Sequence, residues 1–137
     1  MYKNILFAVK FSEAANIAGK KIKKFVGAIN ANLFLIHALE LPVLNSFPEI
    51  PNKEDLYIQE AKRRMSGMGK NLDILEYHQF IEVGNSRIII PEFIKKHHID
   101  LLVVGHHEKQ GLDRILGPTA YALSAHAKYE VLVIPYL

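Results

Sequence analysis

Apolar residues along the chain fall into two alternating patterns, short continuous runs and stripes at helical spacing. Asn4 to Val9 is a continuous apolar run after Asn4, which predicts a strand buried on both faces. Ser12 is placed to cap a helix in which Ala18, Ile22, Phe25, Val26 and Ile29 recur as one stripe. Leu33 to Leu39 predicts a second buried strand, so the first forty residues read as one β-α-β unit.

Leu41 to Asn52 carries Pro42, Pro48 and Pro51 without periodicity and reads as a surface loop. A polar amphipathic helix follows from about Lys53 to Met65, with Leu56, Ala61 and Met65 as its inner positions and Gly67 and Gly69 as its stop. Tyr77 to Val83 predicts a third strand. Gly84-Asn85-Ser86 then turns the chain, with Ser86 as cap, into a helix ending near Lys95-Lys96-His97-His98. Pro91 removes a backbone donor there, so a local distortion or a late start is expected. Ile99 to Val104 is the fourth strand, and a short helix opens near Gly117-Pro118-Thr119. Val131 to Ile134 is the fifth strand, with Pro135 ending it.

Strands apolar on both faces, alternating with helices, predict a single α/β domain over 1–137: a five-stranded parallel sheet with helices on both faces. Ligands of such sheets sit beyond the carboxyl ends of the strands, where strand order reverses. The segments to inspect are Ala8-Val9-Lys10, His37-Ala38 and Val104-Gly105.

Composition narrows the chemistry. There is no cysteine, which excludes disulfides and thiolate sites. No apolar run reaches the roughly 20 residues of a membrane span, and the N-terminus lacks a signal-type apolar segment, so a cytoplasmic protein is expected. The formal charge is only +3. Its main source, Lys20, Lys21, Lys23 and Lys24, lies near the end of the first predicted helix, where the helix dipole and solvent favour cations, so no nucleic-acid surface is read from it.

The seven histidines include the adjacent pairs His97-His98 and His106-His107, which diverge on helix or strand and chelate poorly, so no metal site is assigned. His37, ending a buried strand, is expected to be a hydrogen-bonded core residue. Ser12, Ser86 and Ser124 lack a nucleophile-elbow context, and no catalytic residue is assigned.

Five segments in order resemble the universal stress protein family: Asn-Ile-Leu-Phe-Ala-Val-Lys-Phe-Ser-Glu-Ala, Leu-Phe-Leu-Ile-His-Ala-Leu-Glu, Val-Gly-Asn, Ile-Asp-Leu-Leu-Val-Val-Gly-His-His and Tyr-Glu-Val-Leu-Val-Ile-Pro. The resemblance implies the adenine nucleotide alpha hydrolase-like, Rossmann-like fold, a role in stress response without catalysis, and homodimers. One branch of the family binds ATP through a loop of Gly, two residues, Gly, nine residues, then Gly with Ser or Thr. Such glycines let backbone N–H groups reach phosphates.

This chain is similar to the other, A-type branch, which carries Gly-His-His and lacks the loop glycines. Gly105 and Gly117 match two of the three glycines, but Glu108 replaces the middle one. Pro118 stands where the hydroxyl belongs, Thr119 comes one position late, and the interval between the outer glycines is one residue short. Lys10 also stands where ATP-binding members carry Asp. The resemblance therefore implies no tight cofactor. Were ATP to bind, its contacts would be Ala8, Val9, Lys10, Ala38, Val104, Gly105, Gly117 and Thr119. Val131, Leu132, Val133 and Ile134, an apolar strand expected at a sheet edge, would form the dimer contact.

Overall fold

The computed structural model describes residues 1–41, 53–107, 118–125 and 127–136, with His107 and Pro118 described through the backbone alone. The elements are β1 (Asn4–Ala8), α1 (Glu13–Ala28), β2 (Asn32–Leu39), α2 (Lys53–Leu72), β3 (Gln79–Val83), α3 (Ser86–Lys96), β4 (Leu101–His107), α4 (Pro118–Ala125) and β5 (Glu130–Tyr136). The five strands form one sheet in the order β3-β2-β1-β4-β5, every neighbouring pair parallel. Strand order reverses between β1 and β4, which fixes the switch point of the sheet.

Alternation along each strand divides the core in two. Ile5, Phe7, Leu35 and Val103 pack with α1 and α2; Leu6, Ile36, Leu102 and Val104 pack with α3 and α4. Central side chains such as Phe7, Leu6 and Ile36 are fully buried, each contributing on the order of 1.5–3 kcal/mol.

Ser12 caps α1 as expected, its Oγ accepting from the Ala15 N–H at 3.1 Å. The stripe below it is realised in buried Ala18, Ile22 and Val26. Other boundaries move for identifiable reasons. The second helix does not stop at Gly67 and Gly69 but runs through both to Leu72. Gly69 lets the Gln79 side chain cross the helix and donate from Nε2 to the Ile74 carbonyl at 2.9 Å. Leu56, expected inside, is exposed, while Ala61 and Met65 are buried.

The expected third strand loses its first two residues to a 3₁₀ turn over Glu76–His78, closed by the His78 N–H on the Leu75 carbonyl. Asn85, not Ser86, caps α3 by accepting from the Arg87 N–H at 2.9 Å, and the helix starts early and continues through Pro91. Ile99 and Asp100 precede β4. The Asp100 carboxylate instead accepts the N–H groups of Asn4 and Lys3 at 2.8 and 2.7 Å, clamping the start of β1. Pro135 lies within β5, which continues to Tyr136. An edge strand tolerates proline because an outward-facing position needs no donor.

Candidate functional site

At the switch point the register sets Ala8 beside Val104, and Ala38 lies one pleat beyond Ile36 on β2. All three pack on the α3/α4 side of the sheet. Two methyl groups and one isopropyl group give an apolar floor. Thr119, half-buried, stands in the first turn of α4. Lys10 follows β1 with its side chain exposed.

Val9 and Gly105 lie on the opposite side. Val9 is buried against α1 and α2, so it offers the cleft only its backbone, whose N–H already donates to the Ile36 carbonyl at 2.9 Å. Gly105 falls in the alternation with Leu101 and Val103, and a Cβ there would lie inside the ring of Tyr136. Tyr136 is buried among the α1/α2 core residues, and burial pushes its phenol up to about 12. The absence of a side chain at 105 is thus accounted for by packing: the aromatic ring occupies the space that glycine leaves. Glu108 and Gly117 lie outside the described residues.

His37 makes the expected hydrogen bond but is half-buried, not a core residue. Its Nδ1–H donates to the Val9 carbonyl at 2.8 Å, and its ring packs against Phe11 at 4.4 Å between centroids. Since a carbonyl only accepts, this bond fixes the proton on Nδ1. The residue the sequence reading passed over is His106. As half of an adjacent pair it reads only as a poor chelate, yet the alternation Leu102, Val104, His106 places it on the floor side, and it is buried. Period two was the available signal.

This arrangement presents main-chain groups, small apolar side chains, one cation and one buried imidazole. Among the described residues no three His, Asp or Glu stand close enough to hold a metal ion, and no helix is long and apolar enough to cross a membrane.

Comparison with known proteins places the chain among relatives. Residues 1–135 match the model of the universal stress protein family. The chain is 33% identical to universal stress protein A homolog 2 of Coxiella burnetii, over 97% of this chain and 94% of that protein. Two solved structures share the fold. That of MJ0577 from Methanocaldococcus jannaschii has a TM-score of 0.78 at 28% identity, covering 98% of this chain and 96% of that one. That of universal stress protein UspA from Lactobacillus plantarum has a TM-score of 0.71 at 25% identity, covering 97% of both.

Proposed function

The chain belongs to the universal stress protein family, and from that premise we propose that it is a cytosolic, A-type member acting as a homodimer through protein contact, without catalysis and without tight ATP binding. The observation that carries the reading is the contact between Gly105 and Tyr136. Gly105 is the one glycine of the nucleotide-loop pattern within the described residues, and packing alone accounts for it. Lys10, exposed at the end of β1, supplies no carboxylate for a ribose. The A homolog name of the Coxiella burnetii relative supports the branch.

The dimer contact rests on β5, which forms one edge of the sheet. Its outer backbone edge and the exposed Leu132 suit an isologous pairing about a two-fold axis. Titration calorimetry with ATP, ADP and AMP in magnesium tests the nucleotide half. A dissociation constant above about 100 μM, or no heat, is expected; a low-micromolar value overturns it. Light scattering tests the assembly: the parent should have a dimer mass and Leu132→Glu, which sets like charges together at the axis, a monomer mass. A monomeric parent refutes the dimer.

A further inference from the structure

The sheet ends on two strands, β5 at one edge and β3 at the other. In a parallel pair the N–H and C=O of one residue point to the same side, and successive residues point to opposite sides. The Gly84 N–H donates to the Leu39 carbonyl at 2.9 Å, so Gly84, Glu82 and Phe80 turn their backbone groups toward β2. Gln79, Ile81 and Val83 therefore aim theirs away from the sheet, with no described strand beyond them. Side chains alternate across the two faces. Ile81 packs with the α1/α2 core and Phe80 with the α3/α4 core. Val83 thus shares the face of Ile81, and Glu82 shares that of Phe80.

Sheet edges are usually guarded by lysine, proline or a bulge. Strand β5 has Pro135. Strand β3 has neither lysine nor proline, keeps an unbroken register with β2, and carries Glu82 as its single charge. None of its residues is buried. Leu75 and Tyr77, which lead into it, are 58% and 69% exposed, and Val83, which ends it, is 49% exposed. Each exceeds Leu132 on β5 at 39%, so the β3 edge shows more apolar surface than the edge assigned to the dimer. The local charge also runs against the whole. Residues 75–86 hold Glu76 and Glu82 and no Lys or Arg, in a chain of formal charge +3.

We propose that β3 accepts, as a sixth strand, an extended segment of a different protein in which apolar and basic residues alternate. The outward N–H and C=O groups of Gln79, Ile81 and Val83 supply the main-chain bonds of such an addition. Side chains of the added strand on one face meet Ile81 and Val83, which suit apolar residues. Those on the other face meet the Glu82 carboxylate, and opposite charges across neighbouring strands attract. A second copy of the chain fits less well. With β5 joining two copies, pairing through β3 as well would extend the sheet from dimer to dimer without closing. A two-fold axis at Ile81 would also set each Glu82 opposite the apolar Phe80 of the other copy. The 3₁₀ turn over Glu76–His78 and Gly84, at φ 141°, bound the edge. Between them Gln79 to Val83 spans about 17 Å, room for about five to six residues of strand.

This inference rests on the protein-contact reading and on pairing through β5. The test is fluorescence anisotropy on the full chain with three labelled peptides of about nine residues: alternating Val and Lys, alternating Val and Glu, and the Val/Lys peptide with its central Val replaced by Pro. The Val/Lys peptide should bind in low salt with a dissociation constant below about 100 μM, against the net charge of the protein, and the other two should not. Under saturating Val/Lys peptide the amides of Gln79, Ile81 and Val83 should exchange at least about tenfold more slowly, and those of Phe80 and Glu82, already turned to β2, should change far less. Glu82→Lys should weaken the Val/Lys peptide at least about threefold and make the Val/Glu peptide the tighter ligand; Glu82→Gln serves if the reversal fails to fold. Leu132→Glu on β5 should leave the curves within about twofold. Silence toward the Val/Lys peptide, equal binding of the proline form, unchanged amides at 79, 81 and 83, indifference to Glu82→Lys, or loss in Leu132→Glu would each overturn the inference. A monomeric parent in light scattering would sink the β5 dimer without moving these curves, and a silent peptide would leave the dimer and nucleotide results intact.

Discussion

Gly105→Ala is the substitution in which the packing account of the switch point is most exposed. Gly105 lies on β4, which is held between β1 and β5 and pairs with Ile134, so the backbone has little room to recoil. The new Cβ would fall inside the Tyr136 ring, and the ring must yield. A partial shift costs about 1–3 kcal/mol as overpacking. Full expulsion exposes on the order of 150–200 Å² of aromatic surface, up to about 4–5 kcal/mol at 25 cal/mol per Å². A loss of about 2–4 kcal/mol is expected. Urea unfolding followed by circular dichroism, at fixed protomer concentration, measures it. Tyr136→Ala removes the obstacle, so Gly105→Ala added to it should cost little more, giving a coupling of about 2 kcal/mol or greater in the cycle. The phenol supplies a second readout. Its folded pKa is raised to about 12 from the ordinary 10.0, so its contribution is complete below pH 10 and is lost as pH rises through the folded value. In Gly105→Ala the Tyr136 phenol should ionise nearer the ordinary value in an alkaline absorbance titration. A stability change within about 0.5 kcal/mol, or an additive cycle, would refute the packing account.

Two glycines of α2 should part ways: Gly67→Ala, with nothing within 4 Å of the new methyl, should stabilise by about 0.5–1 kcal/mol, and Gly69→Ala, where the Gln79 amide intrudes, should fall about 1–2 kcal/mol below it in urea midpoint analysis. Asp100→Asn should cost about 1 kcal/mol at neutral pH, a figure kept small by exposure. The N–H groups of Asn4 and Lys3 hold this carboxyl below its ordinary 3.8, so its contribution is present above that value and lost as pH falls through the folded pKa; the gap between parent and variant should close in denaturation below pH 4. Ser12→Ala should cost about 1 kcal/mol through the lost α1 cap, read as a shift in thermal midpoint.

The strand-helix alternation was legible because strands buried on both faces are written as unbroken apolar runs, and Asn4 to Val9 or Leu33 to Leu39 can hardly be anything else. The boundaries that moved are those decided by contacts distant in sequence. Gly67 and Gly69 look like helix stops until Gln79 is seen crossing at Gly69. Pro135 looks like a strand end until β5 is found at the sheet edge. Of the candidate site, Ala8, Ala38 and Val104 come together as the switch-point rule anticipates. Val9 and Gly105 face the other way, which strand alternation could have shown had it been applied past each strand's apolar run. Tyr136 as the reason for Gly105 was out of reach: a glycine that admits a ligand and one that admits an aromatic ring both appear in sequence as a missing side chain.

Strand β5 packs on both faces of the sheet, and its alternation keeps the two sets of side chains apart. Val131 and Val133 pack toward α3 and α4, while Ile134 and Tyr136 pack toward α1 and α2. A charge at Val133 would therefore enter the core before it reached any partner, and lost stability could not be told from lost assembly. Leu132 is different: it is 39% exposed, so a carboxylate there stays hydrated in the monomer and meets opposition only where a second copy brings its twin close. The backbone edge offers the remaining handle, since Pro135 already lacks one donor and pairing must rely on the residues before it. If β5 joins two copies, the surface that associates is thus mainly main chain with one apolar side chain, and the residues that hold Gly105 in place lie behind it in the core.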